Sequence, residues 1–132
     1  MDVALDHVVF EVRDPTASVA FYRDVLGLPP VRLDEYARGE VPFPSVRVNA
    51  HTLIDLFPPK LWDGDAPVNP NHTCLTVSRA DFMALEQRLA QAGVAIDRRR
   101  ERNFGAQGHG TAVYFRDPDG IVLEVRHYEG EA

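Results

Sequence analysis

Cysteine is almost absent from this chain: Cys74 is the only one among its 132 residues. No intramolecular disulfide can therefore form, and a zinc site closed by several thiolates is excluded as well. Chains without disulfides are typical of reducing compartments, so we expect a cytoplasmic protein.

Long apolar runs and basic charge are also scarce. No run approaches the roughly 18 apolar residues that a membrane span needs, and the start MDVALDHVVF lacks the basic segment of a signal peptide. Asp and Glu number 20 against 14 Lys and Arg, a formal net charge of −6. That balance disfavours binding to duplex nucleic acid, because such binding depends on neutralising phosphates. The 45% hydrophobic composition is that of an ordinary globular domain.

The chain contains two copies of one structural unit. In the first copy, residues 5–12 alternate and are rich in β-branched residues, which predicts a strand. A helix is predicted next, because Asp14 and Pro15 suit its first positions and Gly27 suits its end. In the second copy, a strand at 72–77 precedes a helix that begins after Ser78 and ends at Gly93.

Three extended stretches follow each predicted helix, so each copy is a βαβββ module and the fold class is α+β. Low complexity is absent, and the proline-containing segment 58–71 predicts an irregular connector. We therefore predict a single domain with module 1 at residues 1–57, the connector at 58–71 and module 2 at 72–132. The extended stretches are residues 31–36, 45–48 and 52–57 in the first copy, and residues 95–102, 111–116 and 121–128 in the second.

Each copy also carries one histidine and one carboxylate on predicted strands. They are His7 and Asp55 in the first copy, and His72 and Glu124 in the second. Side chains at i and i+2 share a face of a strand, so the histidine and the carboxylate of each copy are expected on one face of its sheet. The opposite, apolar face packs against the helix of that copy. Two imidazoles with carboxylates suit one divalent ion of Fe, Mn, Co, Ni or Zn, with coordination positions left open for substrate oxygens. For any one of these residues alone, packing or capping would be the simpler interpretation.

Three segments of the chain, LDHVVFEV, AFYRDVLGL and YFRDPDGIVLEV, resemble the vicinal oxygen chelate superfamily, which groups glyoxalase I, bleomycin-resistance proteins and extradiol dioxygenases. The resemblance covers nearly the whole chain. It implies paired modules that form an incomplete barrel around a metal, generally in a homodimer. It also implies that His7, His72 and Glu124 are metal ligands, with Asp55 where glyoxalase I has a glutamate.

The chain departs from each characterised branch of that superfamily. Glu11 stands where glyoxalase I has the arginine that holds the glutathione carboxylate, and it would repel that group. Val9 stands where fosfomycin-resistance enzymes have a catalytic threonine. Tyr114 matches the catalytic tyrosine that extradiol dioxygenases place ten residues before the last ligand, although a tyrosine is also common in a strand as part of a pocket wall.

Two further segments allow more than one interpretation. The run Arg98, Arg99, Arg100 and Arg102 could clamp an anionic substrate, but alternating charge also protects an edge strand from pairing, and the sequence favours the edge with one arginine facing the site. The glycine-containing segment 103–110 predicts a mobile loop over the pocket.

We therefore expect a metal-dependent enzyme that binds a small oxygenated substrate through two vicinal oxygens. Its chemistry would be of the lyase, isomerase or dioxygenase type, with Glu124 or Asp55 as the general base and Tyr114 as a further catalytic residue. The main alternative is a metal-free protein that sequesters an antibiotic or another small molecule. A non-enzymatic partner domain is disfavoured, because burying histidines and acids without a role is costly.

Overall fold

The computed structural model describes residues 1–2 and 4–130, in two compact units, Met1–Asn69 and Pro70–Ala132. Val3, Glu131 and Ala132, which fall within the predicted modules, lie outside the described residues. The boundary between the units falls inside the predicted connector. Each unit is built on one four-stranded mixed sheet, so the predicted α+β class is confirmed.

In the first unit the sheet order is β1-β4-β3-β2, with β1 and β4 parallel and the other pairs antiparallel. Its elements are β1 (His7–Glu11), α1 (Pro15–Leu26), β2 (Pro30–Val31), α2 (Leu33–Ala37), β3 (Ser45–Arg47), β4 (Leu53–Phe57) and a 3-10 turn (Pro59–Leu61).

In the second unit the order is β5-β8-β7-β6, again with the first and last strands of the unit parallel. Its elements are β5 (Thr73–Thr76), α3 (Arg79–Gln91), β6 (Ile96–Gly105), β7 (Gly108–Arg116) and β8 (Val122–Tyr128).

The two long helices begin and end where the sequence predicts. The side chain of Asp14 accepts hydrogen bonds from the backbone N–H groups of Thr16 and Ala17, and Gly27 ends α1 in the left-handed conformation. Ser78 caps α3 by accepting from the N–H of Asp81. These side chains satisfy amide groups that a helix end would otherwise leave unpaired.

Strand alternation places apolar and polar side chains on opposite faces, as predicted. On the helix side of the first sheet, Phe10, Ile54 and Leu56 are fully or almost fully buried, and the ring of Phe10 lies 6.2 Å from that of Tyr22 in α1. On the other face, Val9 retains 37% exposure. In the second unit, Phe82, Leu85 and Leu89 form the buried stripe of α3. The face that carries each histidine is therefore the one left uncovered by its own helix.

The prediction of an extended stretch at 31–36 is wrong. Only Pro30–Val31 is a strand, and α2 occupies Leu33–Ala37. Arg32 turns the chain between them in the left-handed conformation, with φ of 62°. The acidic residues Asp34 and Glu35 then lie in the first helical turn, where the helix dipole favours negative charge.

The prediction of a loop at 103–110 is also wrong, because strands β6 and β7 continue through it as a hairpin. Asn103 pairs with Gly110, and Gly105 pairs with Gly108, so the turn is confined to Ala106 and Gln107. A side chain at Gly110 would overlap the backbone carbonyl of His127 on β8. This glycine therefore permits close approach between strands instead of breaking one.

The connector is held to the edge of β1. The side-chain amide of Asn69 accepts from the N–H of Glu11 at 2.9 Å and donates to its carbonyl at 3.0 Å, as a neighbouring strand would. The carboxylate of Glu11 accepts from the N–H of Val68 at 2.8 Å. Glu11 therefore has a structural role in this chain.

Within the described part of the chain, no helix has the length and apolar character needed to cross a membrane.

Replacing Asp14 by alanine removes the cap of α1. We expect Asp14→Ala to lower the free energy of unfolding by about 1 kcal/mol, since two backbone amides lose their acceptor. Urea unfolding followed by circular dichroism measures it. The control Asp24→Ala removes an exposed acid from the same helix and should lower the free energy of unfolding clearly less than Asp14→Ala does. Equal losses in the two variants would contradict the capping role.

Candidate metal centre

His7 and Asp55 form a pair in the first unit. Asp55 lies opposite Val9 in the parallel pairing of β4 with β1, so its side chain shares a face with His7. His7 Nε2 lies 4.0 Å from Asp55 Oδ2. The other oxygen of the buried carboxylate, Oδ1, accepts a hydrogen bond of 2.6 Å from Ser45 Oγ on β3.

His72 and Glu124 form the corresponding pair in the second unit. Glu124 lies opposite Cys74 in the parallel pairing of β8 with β5, and His72 immediately precedes β5. His72 Nε2 lies 3.3 Å from Glu124 Oε1. Glu124 is 4% exposed, whereas the side chain of His72 is 40% exposed. The carboxylate is thus buried and the imidazole remains accessible.

Each imidazole is held at Nδ1 by the side chain of the residue that precedes it. His7 Nδ1 lies 2.7 Å from the carboxylate of Asp6, and His72 Nδ1 lies 2.8 Å from the amide oxygen of Asn71. An oxygen at Nδ1 favours the tautomer with its hydrogen there and leaves the lone pair on Nε2. The hydrogen bond that His7 donates to Asp6, together with the charge of Asp55, raises the pKa of His7.

Each pair has two donors of the kind that divalent metal ions bind. Each imidazole presents Nε2 towards a carboxylate oxygen while its Nδ1 is held by the preceding residue, which is the usual arrangement around metal-binding histidines. Each carboxylate has one oxygen bound by a neighbouring side chain and the other facing the imidazole. Mixed nitrogen and oxygen ligands of this kind suit Fe, Mn, Co, Ni or Zn.

Glu124 is held by two donors that the sequence did not assign to the site. Asn103 Nδ2 on β6 and Arg126 Nη1 on β8 donate to Glu124 Oε2 at 3.1 Å and 3.3 Å. Arg126 is 3% exposed, and a second guanidinium N–H donates to the carbonyl of Asn103. A buried carboxylate is stable only beside such donors, since water no longer solvates it.

Gly105 makes room for that arginine. A Cβ atom at this position would overlap the guanidinium of Arg126 and crowd the hydroxyl of Tyr128. The guanidinium lies 4.7 Å from the centre of the Tyr128 ring, and its Nε is buried without a hydrogen-bond partner among the described residues. The absence of a side chain on β6 therefore lets the cation lie beside Glu124.

Tyr114 belongs to the second pair. It lies directly opposite Glu124 in the pairing of β7 with β8, and its ring is 5.8 Å from that of His72. Asn103 Nδ2 donates to Tyr114 Oη at 2.8 Å. Burial and the neighbouring Glu124 raise the pKa of Tyr114, so the phenol keeps its hydrogen at neutral pH.

Cys74 lies on β5, opposite Glu124 of β8. The residue is exposed at the sheet edge, and only its thiol is partly buried beside Glu124. Burial, reinforced by the charge of Glu124, raises the pKa of its thiol from 9.0 to about 12. The thiol is therefore protonated at neutral pH and is a poor nucleophile there.

The structure places the four predicted ligands in two pairs, one in each unit, and Tyr114 lies beside the second pair. Within the described residues of either unit, no group of three or more His, Cys, Asp and Glu side chains is placed to hold a metal. Five residues that contact the two pairs were not assigned to the site from the sequence. Two of them directly precede a histidine, and three lie on strands of the same sheet as the acid that they contact. The five are Asp6, Asn71, Ser45, Asn103 and Arg126.

The family model of the Glyoxalase/Bleomycin resistance protein/Dioxygenase superfamily matches residues 4–125. The chain belongs to this superfamily. The resemblance inferred from its three sequence segments is thereby confirmed.

Relatives and solved structures agree over most of the chain. Virulence protein STM3117 of Salmonella typhimurium is 27% identical over 94% of this chain and 83% of its own, and glutathione transferase FosA of Serratia marcescens is 32% identical over 92% and 79%. The crystal structure of STM3117 superposes with a TM-score of 0.77 at 23% identity, covering 97% of this chain and 98% of that one. An integron cassette protein from the mobile metagenome of V. cholerae has a TM-score of 0.75 at 28% identity, with 98% of both chains covered.

The reactivity of Cys74 reports on the charge of Glu124. We expect iodoacetamide at pH 8 to alkylate chelator-treated folded protein at least about tenfold more slowly than urea-unfolded protein. The raised pKa reduces the thiolate fraction, and the greater nucleophilicity of a more basic thiolate offsets part of that reduction. Mass spectrometry gives both rates.

In Glu124→Gln we expect faster alkylation, since one cause of the raised pKa is removed. The matched control is Glu86→Gln, on α3, which should leave the rate unchanged. A folded wild-type protein that reacts as fast as the unfolded chain would contradict the raised pKa.

The Glu124–Arg126 pair is tested by a double-mutant cycle. We expect Arg126→Met to lower the free energy of unfolding by about 3–5 kcal/mol, because it leaves a buried carboxylate without its cation. The double variant Glu124→Gln, Arg126→Met should lose less than the two single variants together, since no uncompensated charge remains. Strict additivity in urea unfolding would show that the two side chains do not interact.

Proposed function

We propose that this protein is a divalent-metal-dependent enzyme that acts on a small oxygenated substrate bound through vicinal oxygens. The observation that supports this most directly is the matched orientation of the two His–carboxylate pairs. In each, Nδ1 is bound by the residue before the histidine and Nε2 faces a carboxylate oxygen. Burying a carboxylate beside an accessible imidazole has a desolvation cost, and the chain bears it twice. A role in binding or catalysis would explain why.

The proposed metal ligands are His7, His72 and Glu124, with Asp55 as a fourth. A divalent ion bound there would act as a Lewis acid on the substrate oxygens. The name of one relative, metallothiol transferase FosB of Shouchella clausii, supports a metal in this family; it is 26% identical over 97% of this chain and 88% of its own.

The two carboxylates are suited to different tasks. Glu124 Oε2 is held by both Asn103 and Arg126, so this side chain is fixed and partly neutralised. One side-chain hydrogen bond, from Ser45, holds Asp55, and its Oδ2 is farther from the imidazole. We therefore assign Glu124 to holding the ion and Asp55 to accepting a proton from the substrate.

Tyr114 is suited to orient the substrate. Asn103 donates to its hydroxyl oxygen, so the phenolic hydrogen can be donated to an oxygen of the substrate or of Glu124. A phenol that stays protonated is a hydrogen-bond donor to developing negative charge.

Glutathione is not part of this proposal. Glu11 carries a negative charge where glyoxalase I has the arginine that binds the glutathione carboxylate, and here it also holds the connector through Val68. In line with the resemblance, we propose a cytoplasmic homodimer that uses a small substrate alone.

Metal content tests the proposal. We expect plasma mass spectrometry to find about one divalent ion per chain in protein purified without chelator or affinity tag, and little in His72→Ala, because an imidazole ligand is lost. His51→Ala is the matched control: His51 is exposed and precedes β4, and its loss should leave the metal content unchanged.

Asp55→Asn should retain most of the metal, because we assign Asp55 to proton transfer. Wild-type protein that holds no metal even after reconstitution with each of the five candidate ions would refute the metalloenzyme and favour the sequestering protein.

A further inference from the structure

The arginines of β6 are divided between the two faces of the second sheet. In the pairing of β6 with β7, Arg98 lies opposite Tyr114 and Arg99 lies opposite Val113. Val113 is fully buried, whereas Tyr114 shares the face of Glu124. Arg98 is therefore on the face of the candidate metal centre, and Arg99 is on the opposite face.

On that opposite face, arginine charge is matched by acid. Arg99 Nε lies 3.4 Å from the carboxylate of Glu86 on α3, and Arg99 Nη1 lies 3.3 Å from that of Glu101. Such exposed pairs contribute little stability, but they suit the edge position of β6. The protection of an edge strand is a sufficient explanation for Arg99.

Arg98 has no such explanation. Among the described residues it makes no side-chain hydrogen bond or ion pair, and its guanidinium carbon lies 4.6 Å from the centre of the Tyr114 ring. Contact with an aromatic face holds a guanidinium in place while leaving its N–H groups free to donate. An oriented arginine with unused donors therefore lies beside the His72–Glu124 pair.

The local charge also favours an anion. Glu124 is the acid of this cluster, and Arg126 offsets its charge from a buried position. Arg98 makes no ion pair among the described residues, so it contributes an unbalanced positive charge to this face. Without the charge of Arg126, the carboxylate of Glu124 would repel an anionic ligand bound beside Arg98.

We propose that Arg98 binds an anionic group of the substrate, a carboxylate or a phosphonate, at a subsite beside Tyr114. The inference rests on the proposed function, because it takes the face of His72 and Glu124 as the substrate site. It narrows the substrate class to small oxyanions. Arg98 and His72 both contact the ring of Tyr114, so the anionic group lies within a few atoms of the oxygens that react. A guanidinium binds both kinds of anion through two parallel hydrogen bonds.

Nuclear magnetic resonance titration of the full chain tests this subsite. The probes are acetate for a carboxylate, methylphosphonate for a phosphonate, and neutral acetamide as the control. Backbone amide signals of β6 and β7, which every variant retains, report binding. In the wild type, the Nε–H signal of Arg98, identified by its loss in Arg98→Met, shows whether this side chain takes part. The titrations are run on protein as purified and after chelator treatment, and metal content is measured on the same samples.

We expect saturable binding of at least one anion and none of acetamide. Arg98→Met should weaken anion binding about tenfold or more, since a charge-assisted interaction is lost. Arg99→Met, which removes the same charge from the opposite face of the same strand, should change it less than about twofold. The preferred probe then distinguishes carboxylate from phosphonate substrates.

Three results would overturn the subsite: no saturation by either anion, equal loss in the Arg98 and Arg99 variants, or anion binding that disappears with the chelator and is unaffected by Arg98→Met. The last result would assign the anion to a metal and so favour the proposed function while refuting this inference. Arg98-dependent anion binding in protein that never takes up metal would support this subsite and refute the proposed metal-dependent function.

Discussion

Parallel pairing between the first and last strands of each unit is the constraint on which the candidate site depends. β1 and β4 are separated in sequence by two helices and two further strands, and β5 and β8 by a similar length of chain. Only their pairing brings Asp55 to the face of His7 and Glu124 to that of His72. Because side chains alternate along a strand, a shift of one residue in either register would move the carboxylate to the helix-covered face.

Burial of charge is the second requirement, and the units meet it differently. Asp55 is satisfied by one neutral hydroxyl from Ser45, whereas Glu124 has an amide and a fully charged guanidinium. A buried ion pair contributes little net stability compared with apolar packing, yet loss of one partner is severe. The Arg126 contact is therefore better understood as orienting Glu124 than as stabilising the fold.

Much of this could be predicted from sequence because it depends on local rules. Alternation assigned one histidine and one carboxylate to the same face of each sheet, His7 with Asp55 and His72 with Glu124. The capping residues Asp14 and Ser78 predicted the helix starts. The assembly of all four ligands around one ion stays a prediction.

The failures come from interactions between distant residues. From sequence alone, the glycines at 105 and 110 predict a loop. In the structure, Gly105 makes room for Arg126 and Gly110 for the backbone at His127, and both partners lie on β8. The left-handed turn at Arg32 breaks a stretch whose composition suited a strand. Asn103 could not be assigned to the site for the same reason: its partner Glu124 is 21 positions away, on a strand that is not its neighbour.

The residues that precede the two histidines differ, and this has a consequence for selectivity. Asp6 supports one imidazole with a full negative charge, and Asn71 supports the other with a neutral amide. The first imidazole is thus the stronger electron donor. The two pairs differ in their acids as well, since one contains Asp55 and the other Glu124. The two copies of the unit are therefore not chemically equivalent, and a ligand that binds through such donors would prefer one pair over the other.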